Sequence, residues 1–216
     1  MLNRQIFDYE NHYAVDTYGE TLEDRFQKIV ELSPEESDNV QRADWIESKL
    51  LDLGLLMDSF KLLDIGSGLG VFPYEMTCRG WNTVAIEPSM DFYNHLQNLG
   101  LADVRHGFFV PGVEVEKYQL ITLNKVLEHI DDPKKLLYEL TLNLSRNGAL
   151  YVEVPDGEAA IAVGQDREEF FVEHLHVFTR LSVNQTLEST GFQIVREETL
   201  REPSGKFTLR TLAKAR

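Results

Sequence analysis

The sequence predicts an α/β fold: a doubly wound, seven-stranded, mostly parallel sheet with an antiparallel last strand, plus a helical N-terminal cap. Three observations carry this expectation. From Lys61 onward, short apolar runs alternate with segments of helical spacing. The first of these runs leads into a glycine-rich loop, LLDIGSGLG, at residues 62–70. The last two runs, FQIVREETL and KFTLRTLAKA, have the turn residues EPSG between them and read as an antiparallel hairpin.

Taken in order, residues 1–60 read as the cap, with helices over Thr21–Leu32 and Asn39–Leu53. SPEESD separates the two, and its Pro34 suits a helix start. KLLDI is the first strand. VFPYEMTCR follows as a helix with Pro73 in its first turn and Gly80 as its stop. NTVAI is a strand closed by Glu87, and SMDFYNHLQNLG a helix from a Ser89 cap to Gly100. ADVRH and YQLITLN are strands. DDPKKLLYELTLNLSRNG reads as one helix, with Pro133 in its first turn and Gly148 past its end. ALYVEV is the fifth strand, residues 155–178 are irregular, and Thr179–Thr190 is a helix before the hairpin. Five strands and a hairpin give seven. The organisation is then a cap over 1–60 and a cofactor-binding domain over 61–216, with a lid insertion at 155–178.

Charge narrows the function. The 216 residues hold 21 Lys and Arg against 36 Asp and Glu, a formal net charge of −15. Such a surface repels phosphate backbones and anionic lipid, so nucleic acid and membrane are not expected as partners. The single cysteine, Cys78, allows no intrachain disulfide and reads as a small buried hydrophobe. The stretch MLNRQIFDYENHY lacks the apolar core of a secretory signal, and no window has the length of a membrane span, which points to a cytoplasmic protein.

In a doubly wound sheet, ligands lie beyond the carboxyl ends of the strands at the switch point, where the glycine loop falls. A dinucleotide site wants G-x-G-x-x-G to grip a pyrophosphate. Here the glycines are 66, 68 and 70, and Val71 stands where the third should be, which speaks against a nicotinamide-dependent dehydrogenase. Asp64 precedes the loop, and its charge suits a cationic ligand better than a phosphate. Glu87 closes the second strand about twenty residues on, where a carboxylate accepts hydrogen bonds from ribose hydroxyls. These residues call for a ribonucleoside without phosphates that carries positive charge.

At this point the chain resembles the class I S-adenosylmethionine-dependent methyltransferases. LLDIGSGLG is similar to their first motif, AIEPS to their second, ITLNKVLEHIDDP to their fourth-strand segment and GALYVEVPD to their fifth strand. The resemblance covers roughly residues 60–213. It implies the cofactor S-adenosylmethionine. It also implies that Gly66, Ser67 and Gly68 contact the methionine part, that Asp64 orders the loop and faces the amino group, and that Glu87 binds the ribose. Pro88 and Ser89 would lie beside the adenine, and Asn124 and Lys125 would line the methionine tail and the substrate side. Where the family often has an acidic residue after the third strand, this chain reads HGFF, so that Phe108 stacks on or walls off the adenine, or packs in the core. Arg42 would pair with the methionine carboxylate, and Tyr9, Tyr13 and Tyr18 would close over the cofactor or pack the N-terminal helices.

Methyl transfer to an alcohol is helped by a general base, and three histidines are candidates: His129 in VLEHI, and His174 and His176 in EFFVEHLHVF. The histidines with Glu173 or Asp156 have metal-ligand chemistry. The family's metal-dependent members, however, carry an acidic cluster near the fourth strand that LNKVLEH does not supply, so no metal is expected. His12, His95 and His106 read as surface or packing residues. The stretch EFFVEHLHVF also resembles methyltransferases of quinone, sugar and polysaccharide biosynthesis. The resemblance implies a small-molecule acceptor, first a hydroxyl of a sugar or related metabolite, then a quinone or other aromatic, then tRNA or protein. A non-catalytic cofactor-binding regulator is the alternative outside enzymes.

Overall fold

The computed structural model describes residues 21–55, 60–110, 116–164, 170 and 174–216. Helices α1 (Leu22–Val30) and α2 (Asp38–Asp52) precede an alternation of β1 (Lys61–Ile65), α3 (Val71–Cys78), β2 (Asn82–Glu87), α4 (Met90–Leu96), β3 (Asp103–His106) and β4 (Tyr118–Asn124). A 3-10 turn (Leu127–His129) leads to α5 (Pro133–Thr141), β5 (Leu144–Pro155), α6 (Gly157–Ile161), α7 (Arg180–Ser189), β6 (Phe192–Arg201) and β7 (Phe207–Ala215). The strands form one seven-stranded sheet in the order β3-β2-β1-β4-β5-β7-β6. Only β7 runs against its neighbours, as it pairs antiparallel with both β5 and β6.

Alternation along the strands sends side chains to two faces, and both are covered. Leu62, Leu120, Ala149, Tyr151 and Leu212 pack against Ala43, Ile46 and Leu50 of α2 and Phe72 and Met76 of α3. Leu63, Ile65, Ile121, Leu123, Val152 and Leu209 pack against Leu137 and Leu140 of α5 and Val183 and Leu187 of α7. The helix starts carry the expected devices. Thr21 and Thr179 make capping boxes, while Asp132 accepts from the Lys135 N–H ahead of Pro133. Among the described residues no helix is long and apolar enough to cross a membrane.

Two expectations are corrected. The helix read from Asp131 to Gly148 ends at Thr141, and Leu144 already pairs with Tyr118 in the sheet. The β4–β5 register then slips before Leu120 meets Ala149. At that bulge a Cβ on Gly148 would lie 2.8 Å from the Tyr118 carbonyl oxygen, so the glycine serves a close backbone passage and not a helix stop. Cys78 is exposed. It sits at the last turn of α3, whose inward face is made by Phe72 and Met76, and a residue two places beyond Met76 turns outward.

The loop after β1 is fixed by packing. Gly70 has φ +80, and a Cβ there would lie 2.3 Å from Leu96 Cδ2 and 2.8 Å from Leu99 Cδ1. Leu96 is fully buried and has nowhere to move. Gly70→Ala is therefore expected to cost about 2–4 kcal/mol, from left-handed strain plus overpacking. Urea unfolding checks this, and a loss below about 1 kcal/mol would mean that the loop re-forms around the methyl group.

Candidate functional site

The chain runs outward from β1 to β3 and returns to β4 on the other side of β1. The switch point thus lies at the carboxyl ends of β1 and β4. Parallel register places Asp64 opposite Thr122 there. Asp64 is 1% exposed, and its Oδ1 accepts from Thr122 Oγ1 at 2.6 Å and Asn124 Nδ2 at 2.9 Å. Burial pushes its pKa up to about 6, against the opposing pull of hydrogen bonds from Thr122, Ser67 and Asn124. The loop is sewn to β2, with the Gly66 N–H donating to the Ile86 carbonyl at 2.8 Å.

Glu87 is 3% exposed at the end of β2. It accepts from the Gly68 N–H at 2.7 Å on one oxygen and from the Ser89 N–H at 2.8 Å on the other. The carboxylate thus ties the glycine loop to the start of α4. Burial raises its pKa, against those two N–H donors. His106 lies opposite Glu87 in the β2–β3 register, and its Nε2 is 3.0 Å from the Pro88 carbonyl oxygen. Phe108, just beyond β3, is 64% exposed, so the core-packing reading is set aside, and its neighbour Phe109 fills the core instead.

These residues fit a cationic nucleoside. A Cβ on Gly68 would meet nothing within 4 Å, so the loop is open on that side. Asn124 Oδ1 is buried beside Asp64 without a hydrogen-bond partner, an acceptor suited to an ammonium group. Each oxygen of Glu87 accepts one backbone N–H and retains a second acceptor direction for a hydroxyl.

Two basic residues are engaged elsewhere. Arg42 is 6% exposed. Its Nε and Nη2 meet Glu153 at 2.7 and 2.6 Å, Nη2 also meets Glu202 at 3.1 Å, and Nη1 donates to Asn39 at 2.7 Å. This ion cluster takes the place of the expected methionine carboxylate. Lys125 belongs to the same cluster: its ammonium bonds Glu202 and lies 3.7 Å from Glu153. Its φ of +56 is unusual for a residue with a side chain. The turn directs the chain from β4 into the 3-10 segment, while the side chain runs to the Glu202 and Glu153 carboxylates instead of a methionine tail. The cluster, assembled from α2, β5 and the β6–β7 turn, carries no local sequence signal.

The histidines divide. His129 and His174 meet with ring centroids 4.9 Å apart at 73°. His176 instead braces the turn, with its N–H donating to the Glu128 carbonyl at 3.1 Å and its Nε2 2.9 Å from the Ile130 carbonyl oxygen. Between them lies a residue that the sequence does not single out. Glu128 is 1% exposed, neither of its oxygens has a hydrogen-bond partner, and burial pushes its pKa up to about 8. Its only sequence signal is its place beside His129 in VLEHI. Asp156 caps α6, accepting from the N–H groups of Glu158 and Ala159 at 3.0 and 3.1 Å. His95 packs on Phe26 as read. Tyr9, His12, Tyr13, Tyr18 and Glu173 lie outside the described residues.

Comparison with known proteins agrees with this fold. A comparison with curated proteins returns no match. The chain is similar to the crystal structure of an S-adenosylmethionine-dependent methyltransferase from Clostridium acetobutylicum, at 14% identity and TM-score 0.65, over 88% of this chain and 96% of that one. It is similar to magnesium protoporphyrin IX methyltransferase from Synechocystis PCC 6803 with bound S-adenosylhomocysteine, at 15% identity and TM-score 0.64, over 89% and 94%. A glycopeptide N-methyltransferase complexed with S-adenosyl-L-methionine matches at 13% identity and TM-score 0.59, over 79% and 93%. At such identities these structures share the fold. The family model described as a methyltransferase domain matches residues 18–197, most of the chain. The chain belongs to that methyltransferase-domain family.

Proposed function

We propose that the chain methylates a hydroxyl of a small molecule, a sugar or related metabolite. The observation that carries this reading is the meeting of His129 and His174 just past the end of β4. When bound, S-adenosylmethionine supplies an electrophilic methyl group on a sulfonium. Asp64 and Asn124 would hold its amino group, Gly66, Ser67 and Gly68 its methionine part, Glu87 its ribose, and Pro88, Ser89 and Phe108 its adenine. An alcohol is a weak nucleophile near neutral pH until its proton is removed or polarised, and a histidine pair suits that task. The cap over 1–60 and the lid over 155–178 would exclude water and orient the acceptor.

The charge of −15 disfavours nucleic acid as the acceptor. A quinone or other aromatic acceptor is the second reading. It is favoured by exposed apolar side chains in the lid, Ile161, Val163, Leu175 and Val177. Release of S-adenosylhomocysteine in the presence of sugars, phenols and amines tests the proposal. Turnover with hydroxyl acceptors is expected, and His129→Asn and His174→Asn should each lower kcat by about 10²–10⁴-fold with unchanged affinity for S-adenosylhomocysteine. Turnover confined to amines would overturn the reading.

A further inference from the structure

We propose that Glu128, His129 and His174 form a binding site for one borderline divalent metal ion of the zinc, iron and manganese class. Donor atoms of all three residues lie within 4.8 Å of one another. Ligands around a tetrahedral zinc stand about 3.3–3.5 Å apart, so a contraction of at most about 1.5 Å brings the three onto a common ion.

Glu128 carries the argument. A buried carboxyl group whose oxygens make no hydrogen bonds is unfavourable in either protonation state. Both of its oxygens lack partners, and the residue is 1% exposed. The closest protein cation on this turn, Lys125, gives its ammonium to Glu202. A metal ion held by the two imidazoles would displace the carboxyl proton and give the buried oxygens a partner.

The framework is set for such a site. His129 and Glu128 are fixed by the 3-10 turn, where the His129 N–H donates to the Val126 carbonyl at 3.0 Å. His174 arrives from the lid, which His176 pins to the same turn by its contacts to Glu128 and Ile130. Two segments far apart in sequence thus converge on one point. Two nitrogens and one carboxylate oxygen suit borderline transition ions, whereas magnesium and calcium prefer oxygen sets. Three protein ligands leave a coordination position open, and the turn follows directly on Asn124 at the switch point. That position would accept the acceptor hydroxyl oxygen, and the ion held by the two imidazoles would then acidify the hydroxyl in place of a free imidazole base, an assignment that rests on the hydroxyl-acceptor reading, whereas the metal site itself does not.

The test is calorimetric titration of the chelator-stripped protein with zinc chloride, manganese chloride and magnesium chloride. One zinc per chain is expected, with magnesium at least about 100-fold weaker. Glu128→Gln and His174→Asn should each weaken zinc at least about tenfold. Circular dichroism and thermal unfolding confirm that the variants fold. Folded wild-type protein without stoichiometric zinc binding, or equal zinc affinity in both variants, would overturn the site. Zinc binding that follows this pattern alongside turnover confined to amines would support the site and overturn only the hydroxyl reading. Hydroxyl turnover by protein that binds no zinc would do the reverse.

Discussion

Arg42→Met is expected to lower the unfolding free energy at neutral pH by about 3–5 kcal/mol, the cost of leaving a buried carboxylate without its partner. Arg42 reaches from α2 across the sheet face to Glu153 on β5, and both residues are almost fully buried. Burial by itself would raise the Glu153 pKa, yet the Arg42 guanidinium and the Lys125 ammonium bring it down to about 2. Tyr151 adds a hydrogen bond of 2.6 Å. Without Arg42, the carboxylates of Glu153 and Glu202 would face the single ammonium of Lys125.

The sign of the pH dependence follows. In the wild type the Glu153 pKa is depressed, so its stabilisation is full above the ordinary value of 4.5 and is lost as pH falls toward about 2. In Arg42→Met the same carboxyl is buried and unpaired. It gains a proton on mild acidification, which relieves the penalty. The gap between the two proteins is therefore expected to narrow from pH 7 to pH 4, as read from urea midpoints. Glu153→Gln added to Arg42→Met should recover part of the loss, because both remaining groups are neutral and the amide oxygen still accepts from Tyr151. A cost below about 1 kcal/mol for Arg42→Met would mean that water enters and solvates Glu153.

The parts of the fold that were legible were those written locally. Alternating strands, Pro133 after Asp132 and the glycine loop each state their role within a few residues, and Asp64, Glu87 and Asn124 follow from strand ends. What escaped depends on partners distant in sequence. The start of β5 at Leu144 is set by pairing with Tyr118, which overrides a helical pattern running to Gly148. Arg42 looked available because Glu153 and Glu202 are over a hundred residues away, and only the packing of α2 brings them together. Lys125 reads as a cofactor residue from its place after a strand, although its side chain belongs to that same cluster. Glu128 is not legible locally because a glutamate on a turn normally reaches water, and nothing in VLEHI announces burial.

Asp64→Asn should separate stability from cofactor binding. The raised pKa of Asp64 means that the folded protein holds a proton between about pH 4 and 6 that the unfolded chain releases. The group's contribution therefore falls as pH rises through that window and is flat above it. The rise from about 4 to about 6 corresponds to about 3 kcal/mol. Asparagine retains an oxygen that accepts from Thr122 and Asn124 but carries no charge to desolvate. The unliganded variant is expected to be more stable than wild type by about 1–3 kcal/mol at pH 7–8, with the advantage vanishing near pH 4. Binding should respond oppositely. A ligand bearing an ammonium group selects the ionised carboxylate, so wild-type affinity for S-adenosylhomocysteine should rise from pH 5 to pH 7. In the variant it should be at least about tenfold weaker at pH 7 and nearly flat with pH. Thermal unfolding with and without S-adenosylhomocysteine, and titration calorimetry at three pH values, measure both halves. A variant that is less stable yet binds as wild type would make Asp64 a structural residue of the β1–β4 seam. A variant that is more stable and binds poorly would show that the empty site holds a buried charge for its ligand, with stability given up at the switch point so that a cation is bound there.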